Sequence, residues 1–301
     1  MYLAVKLGKL TLKTPIICAS GTFGFGEELK GLVNFKNIGA ITTKTITLKP
    51  RRGNLPPRIF ETDHGVLNSV GLENPGLDVF VAEKLPELKK FNTKFIVSIG
   101  GFSSDEYEEI VRQLAQFEEI EAIEVNLSCP NIQLKKMVSQ DKTLTYELLK
   151  ELRQLTSKVL IAKITPEVTD IVEIVQSARE AGVNALSLVN TFYGMAINIE
   201  ERKPYLGSIY GGYSGRAIKP LSLYRVWTAA KTVDIPIIGG GGIESATDAI
   251  EFLLAGSSLV SLGTINLVYP NQAEQILKGI KDYMKKMKIE NIDELRGGLI
   301  V

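Results

Sequence analysis

Cysteine and histidine are almost missing from this chain of 301 residues, and each shortage excludes a class of chemistry. Two cysteines, Cys18 and Cys129, are too few for a disulfide framework and form no Cys-x-x-Cys pattern. Any iron-sulfur cluster serving this chain would have to come from another one. The lone histidine, His64, excludes a multi-histidine metal site, and a Ser-His-Asp triad would have to use it. A loop histidine is more often solvated or bonded locally, and His64 is given no role. Charge of one sign is also lacking: a formal net charge of +1 gives no reason to expect nucleic acid or an anionic membrane as partner. No apolar stretch is long enough to span a bilayer, and residues 1–12 alternate apolar and lysine residues without a signal-peptide core. No linker composition interrupts the chain, and with 45% hydrophobic residues it can bury a large core. The expectation is one cytoplasmic domain spanning residues 1–301.

What is present is a repeated alternation. Apolar, β-branched stretches occur at 15–19, 40–45, 95–99, 122–128, 159–164, 184–189, 235–239 and 259–263. Between them, helical spacing runs over 77–88, 105–117, 144–155, 168–181, 221–231 and 246–255. Strands apolar on both faces and joined through helices predict a parallel sheet, and eight such units fit a closed α/β (β/α)8 barrel, the TIM barrel. The competing architecture, an open doubly wound sheet, is disfavoured because no dinucleotide fingerprint is found.

A barrel of this kind carries its function at the C-terminal ends of its strands. Those ends read Ser20 and Gly21, Lys44 and Thr45, Ser98, 126–131, Lys163, Asn190 and Thr191, 239–242, and Gly263 and Thr264. Lys44 and Lys163 lie on otherwise apolar strands and need anionic companions, since a buried ammonium without one is costly. For Lys163 the choice is a ligand or an ion pair with Glu124 on the neighbouring strand; the ligand is favoured. Four successive glycines at 239–242, with Gly263 and Thr264 after the eighth strand, suggest a phosphate held by backbone N–H groups, against the plainer reading of tight turns using positive φ. The stretch Gly21, Thr22, Phe23, Gly24, Phe25, Gly26 has the wrong order for a dinucleotide loop and reads as a flexible cover. A phosphate beside an inward lysine suits flavin mononucleotide (FMN), because a cation stabilises the negative charge of the reduced flavin.

Two clusters remain. The strand at 122–128 empties into Asn126, Leu127, Ser128, Cys129, Pro130, Asn131, which presents a thiol among hydrogen-bonding groups; Cys129 is read as a catalytic base, against the alternative of a buried free cysteine. The stretch 65–76 contains Asn68, Ser69, Val70, Gly71, Leu72 and then Asn74 and Pro75, read as a helix N-cap with proline at the first helical position. Its amides, with Asn126, Asn131 and Asn190, suit a ligand rich in amide edges and carboxylate, although each asparagine alone could serve a turn. Tyr193, Tyr205, Tyr210 and Tyr213 cluster after the sixth strand, as a partner surface or as packing of a long loop.

Taken together, 15–26, Lys44 and Thr45, 68–76, 126–131, Lys163, Asn190 and Thr191, 211–220 and the two glycine sites resemble the dihydroorotate dehydrogenases over essentially the whole chain, and most closely the catalytic subunit of the B type. The segment Val70, Gly71, Leu72 favours that type over the fumarate-using A type. The membrane-associated type carries an N-terminal extension not found here, and serine in place of Cys129.

The resemblance implies an oxidoreductase that converts dihydroorotate to orotate in pyrimidine synthesis with one FMN per chain. Cys129 would take the C5 proton while the C6 hydride passes to the flavin. It implies flavin contacts from Ser20, Lys44, Thr45, Ser98, Asn126, Lys163, Val189, Gly215, Gly241, Gly242, Gly263 and Thr264. It implies substrate contacts from Lys44, Asn68, Ser69, Val70, Gly71, Leu72, Asn126, Asn131, Asn190 and Thr191. It further implies a homodimer core joined to a partner subunit carrying FAD and a 2Fe-2S cluster, as a heterotetramer passing electrons to NAD. Two departures stand out: Ser98 where relatives usually have asparagine, and a glycine-poor run at 132–139 where the lid over the base is expected. From a different class, a phosphate-binding lyase or isomerase with a Schiff base on Lys163 stays open.

Overall fold

In the computed structural model, eight parallel strands close into a barrel. They are β1 (Ile16–Cys18), β2 (Ala40–Thr42), β3 (Lys94–Ile99), β4 (Ala122–Asn126), β5 (Val159–Ile164), β6 (Ala185–Leu188), β7 (Ile237–Gly240) and β8 (Leu259–Leu262). The structure describes residues 1–128, 130–131 and 136–301, with 130, 131 and 136 described by backbone course alone. Each strand neighbours the next in sequence, and β8 closes on β1 through Val260 opposite Ile16 and Leu262 opposite Cys18. Strands β1, β2, β4 and β6 are buried at every position, as expected for a wall covered inside and out.

The covering helices follow from spacing and caps. Ser104–Ala115 buries Tyr107, Ile110, Val111 and Leu114, one stripe at helical period, and starts where the Ser103 hydroxyl accepts the Glu106 N–H at 3.3 Å. Lys142–Leu155 and Ile171–Glu180 are capped in the same way by Asp141 and Asp170. The helix expected over 77–88 is broken: Leu77–Val79 and Leu85–Leu88 flank a wider turn at Phe80–Lys84, where the Leu85 N–H reaches back five residues to the Phe80 carbonyl. Pro86 has no N–H with which to continue the ladder. A last helix, Gln272–Met287, was not expected from the spacing; Gly279 lets it pack against Ala246, where an added Cβ would stand 2.3 Å from that of Ala246.

Among the antiparallel sheets outside the barrel, two stand at its ends. The hairpin Val5–Leu7 with Leu10–Leu12 buries Leu7, Leu10 and Leu12 beneath the barrel, beside Gly39 and Asn184 at the starts of β2 and β6. A four-stranded sheet stands at the opposite end, in the order Phe192–Gly194, Gly211–Ser214, Gly65–Asn68, Ile59–Thr62. It is built from the segment after β2 and the segment after β6. Among the described residues no helix is long and apolar enough to cross a membrane.

The turn after β7 shows how loop geometry is held. Asp248 accepts from the Glu244 and Ser245 N–H groups at 3.1 and 2.9 Å and from the Lys219 ammonium at 2.6 Å. Burial alone would raise its carboxyl, but the Lys219 ammonium, the Ser245 hydroxyl and the Glu244 N–H outweigh it and hold it below the usual aspartate range. A group depressed in the fold stabilises it above its unfolded pKa of about 3.9, and that contribution fades as pH falls through the lower folded value. Asp248→Asn is therefore expected to lose roughly 1–3 kcal/mol at neutral pH and to flatten the decline of stability on acidification. Urea unfolding from neutral pH down to about pH 3 checks this; an unchanged acid slope would remove Asp248 as its source.

Candidate active site

Five strands contribute to one row of polar side chains on the inner wall. The Ser20 hydroxyl lies 3.2 Å from that of Thr45, Thr45 lies 3.0 Å from Ser98, and Ser98 donates to the Glu124 carboxylate at 3.2 Å. Glu124 stands 3.9 Å from the Lys163 ammonium. Strand register makes this geometry: Ser98 is opposite Glu124, and Lys163 is opposite Asn126, two residues further along the same face of β4. Thus the ion-pair alternative for Lys163 is present. It is too long for a hydrogen bond, however, and among the described residues the ammonium has no hydrogen-bond acceptor, so its protons remain available to a ligand. The same holds for Lys44, whose companion is Glu73 at 3.8 Å, itself shared with Arg58 at 3.1 Å.

Around this row the predicted amides converge. Asn190 Nδ2 donates to the Ser128 hydroxyl at 2.9 Å and approaches Asn126 Oδ1 at 3.4 Å, while the Tyr107 hydroxyl donates to the Asn126 carbonyl at 2.7 Å. Thr191 presses on Gly212, where an added Cβ would lie 2.0 Å from its hydroxyl, and Asn68 Nδ2 donates to the carbonyl of that same glycine at 3.2 Å. The loop carrying Ser69, Val70, Gly71 and Leu72 is fixed by Asn54, which donates from its side chain to Ser69 Oγ at 2.7 Å and from its N–H to the Val70 carbonyl at 3.0 Å. Gly71 and Leu72 both take positive φ, 75° and 55°, a conformation uncommon for leucine. Asn74 is not the helix cap; that position is Gly76. Asn74 is instead buried, bonding Thr47, the Leu72 carbonyl and the Gly76 N–H. The amide two residues early makes an Asx turn rather than a cap.

The glycine turns meet the accessory sheet: Thr264 donates to the Ser214 hydroxyl at 2.8 Å, next to Gly215, and the Val189 N–H reaches the Gly240 carbonyl at 3.3 Å. All four residues 239–242 have steric reasons of their own. Gly239 and Gly240 touch Ser257 and Ser261, while Gly241 and Gly242 take φ of 117° and 84°. Their number therefore does not by itself argue for phosphate. What remains is Gly263, where an added Cβ would find only Ala19 Cβ, at 4.0 Å, with open space otherwise. The expected cover at 21–26 is packed instead, with Phe23 and Phe25 in the core and the Gly24 carbonyl accepting the Lys44 N–H at 2.9 Å.

Cys129 lies outside the described residues, as do 132–135 of the predicted lid; Asn131 is described only as pairing with Lys136. Cys18 sits fully buried in β1, where burial pushes its thiol up, and so it stays protonated. Sequence reasoning gives no site role to Ser128, Ser214 or Glu73, and names Glu124 only as the less favoured partner of Lys163. For Glu124 a signal existed: a carboxylate two residues before Asn126 on an apolar strand must share its face. Among the described residues no cluster could hold a metal ion. The donor set of two ammoniums without hydrogen bonds, amides, hydroxyls and an open glycine turn fits a phosphate-bearing heteroaromatic ring with a small polar ligand beside it.

Comparison with known proteins shows the family. Residues 2–284 match the family model described as dihydroorotate dehydrogenase. A protein of Caldicellulosiruptor saccharolyticus named dihydroorotate dehydrogenase B (NAD(+)), catalytic subunit, is 46% identical over 300 residues, with 99% of each chain covered. One of the same name from Trichlorobacter lovleyi is 45% identical over 298 residues, 99% of this chain and 98% of the other. The crystal structure of an Eimeria tenella DHODH in complex with ferulenol superposes with a TM-score of 0.82 at 25% identity, covering 99% of this chain and 88% of that one.

Proposed function

This chain belongs to the dihydroorotate dehydrogenase family, and from that premise we propose that it is the catalytic subunit of a B-type enzyme, oxidising (S)-dihydroorotate to orotate in pyrimidine synthesis with NAD+ as final acceptor. The observation that carries the reading is the convergence of Lys163, Lys44, Asn126, Asn190 and Asn68 at one barrel mouth. FMN, when bound, supplies the two-electron acceptor for the C6 hydride.

The chain's own residues do the rest. Lys163, Lys44, Ser20, Thr45, Ser98, Asn126, Val189, Gly215, Gly241, Gly242, Gly263 and Thr264 hold the flavin. Lys44 faces the substrate carboxylate; Asn126, Asn131, Asn190, Thr191 and the loop Asn68, Ser69, Val70, Gly71, Leu72 orient the ring through amide, hydroxyl and backbone groups. Cys129, as thiolate, accepts the C5 proton on Sγ. A single FMN domain over residues 1–301 forms a homodimer core, located in the cytoplasm, and a partner subunit with FAD and a 2Fe-2S cluster carries electrons to NAD+ as a heterotetramer.

Purified protein is expected to be yellow, to bleach when dihydroorotate is added without oxygen, and to reduce NAD+ only with its partner present. Turnover with fumarate would identify an A-type enzyme instead. A colourless protein that borohydride and substrate inactivate would be a Schiff-base lyase or isomerase.

A further inference from the structure

Glu124 is an oddity of the inner wall: a carboxylate 4% exposed in the middle of the apolar β4. Burying an ionised carboxylate is costly unless it is paired and hydrogen-bonded, and two groups offset the cost here, the Ser98 hydroxyl at 3.2 Å and the Lys163 ammonium at 3.9 Å. The two ends of the hydroxyl row have fixed donors. Each hydroxyl owns one proton; Ser20 gives its proton to the Thr43 carbonyl at 2.7 Å, and Ser98 gives its own to Glu124. The single Thr45 proton is then left for either Ser98 at 3.0 Å or Ser20 at 3.2 Å. Because the contact with Lys163 is too long for a hydrogen bond, Glu124 balances the ammonium's charge without occupying its protons.

We propose that Glu124 is a positioning residue for Lys163: held by Ser98, it fixes the ammonium at the barrel mouth and tempers the positive field there, and so sets how strongly the site favours reduced over oxidised flavin. The inference rests on the flavin reading above. Reduction adds two electrons and one proton, leaving one extra negative charge beside Lys163. An unbalanced lysine would hold that charge too firmly for electrons to move on to an acceptor; Glu124 offsets it.

The test is the midpoint potential of the bound flavin, measured against a reference dye during anaerobic reduction, a readout independent of turnover. Glu124→Gln keeps the shape and an acceptor for Ser98 but removes the charge. It is expected to raise the ratio of reduced to oxidised flavin at a fixed potential about tenfold, a positive shift of about 30 mV for a two-electron couple. A purely structural role would lower stability and leave the potential in place. Should that variant not fold, Ser98→Ala, which removes the carboxylate's donor, is expected to shift the potential in the same sense by less. An unchanged or negative shift in the variant that folds overturns the inference alone. Wild-type protein that holds no flavin overturns the flavin reading, and this inference with it.

Discussion

Cys129→Ala is expected to keep its flavin and to bind orotate while anaerobic flavin reduction by dihydroorotate falls by about 10²–10⁴-fold, the usual worth of a positioned general base. Binding survives because the amides of Asn126, Asn190 and Asn68 and the Lys44 ammonium are untouched. Stopped-flow bleaching of the flavin measures the loss, and near-normal reduction would take Cys129 out of the role. The pH profile adds a second reading. A thiolate base makes reduction climb with pH through the thiol's titration, ordinarily near about 8.5 and lower where neighbours donate to the sulfur. Cys129→Ser should push that climb to far higher pH, since a hydroxyl ionises much less readily. Cys18 does not confuse the assignment: it is sealed in β1 and its thiol is pushed up by burial, so neither alkylation nor the profile reports it.

Lys163→Met is expected to act in the opposite sense to the change at Glu124. Removing the ammonium takes away the cation nearest the developing negative charge, and flavin reduction should slow by about 10²–10³-fold, the effect of deleting one preorganised electrostatic group. It also strands Glu124, a buried carboxylate left with Ser98 as its one remaining partner in the row, so part of the protein should lose flavin on gel filtration. Reduction at the wild-type rate with flavin fully retained would show that Lys163 serves the barrel wall and not the ligand. That outcome would favour the ion-pair reading, for which the 3.9 Å contact already exists.

The barrel was legible because buried parallel strands leave continuous apolar runs, and all eight runs are strands. Their ends were read too long. Residues 43–45 and 127–128 lie past the strand ends, although the Thr43 N–H still reaches the Ile96 carbonyl and the Leu127 N–H the Lys163 carbonyl on the neighbouring strands. The four-stranded sheet was hidden for a different reason. It pairs Gly65–Asn68 with Gly211–Ser214, and no local pattern announces a partner so far along the chain. Asn74 was misread as a cap because an asparagine before proline serves an Asx turn equally well. Glycine count alone decides nothing at 239–242, where Ser257, Ser261, Ser222 and Lys219 each leave no room for a Cβ. Of the candidate site, Ser20, Thr45, Ser98, Asn126 and Lys163 can be placed from strand position alone, but the partners that hold the site side chains, Glu73, Ser128 and Ser214, follow from three-dimensional neighbours.

The sheet above the mouth brings Asn68 and Thr191 onto the same residue, Gly212, from opposite sides. Substitutions made separately in the two loops will therefore not sum: each alters the backbone on which the other rests. Attempts to redirect substrate choice have to treat this four-stranded sheet as one unit, selecting both loops together, since a library that varies either flank alone samples the other flank's damage as well.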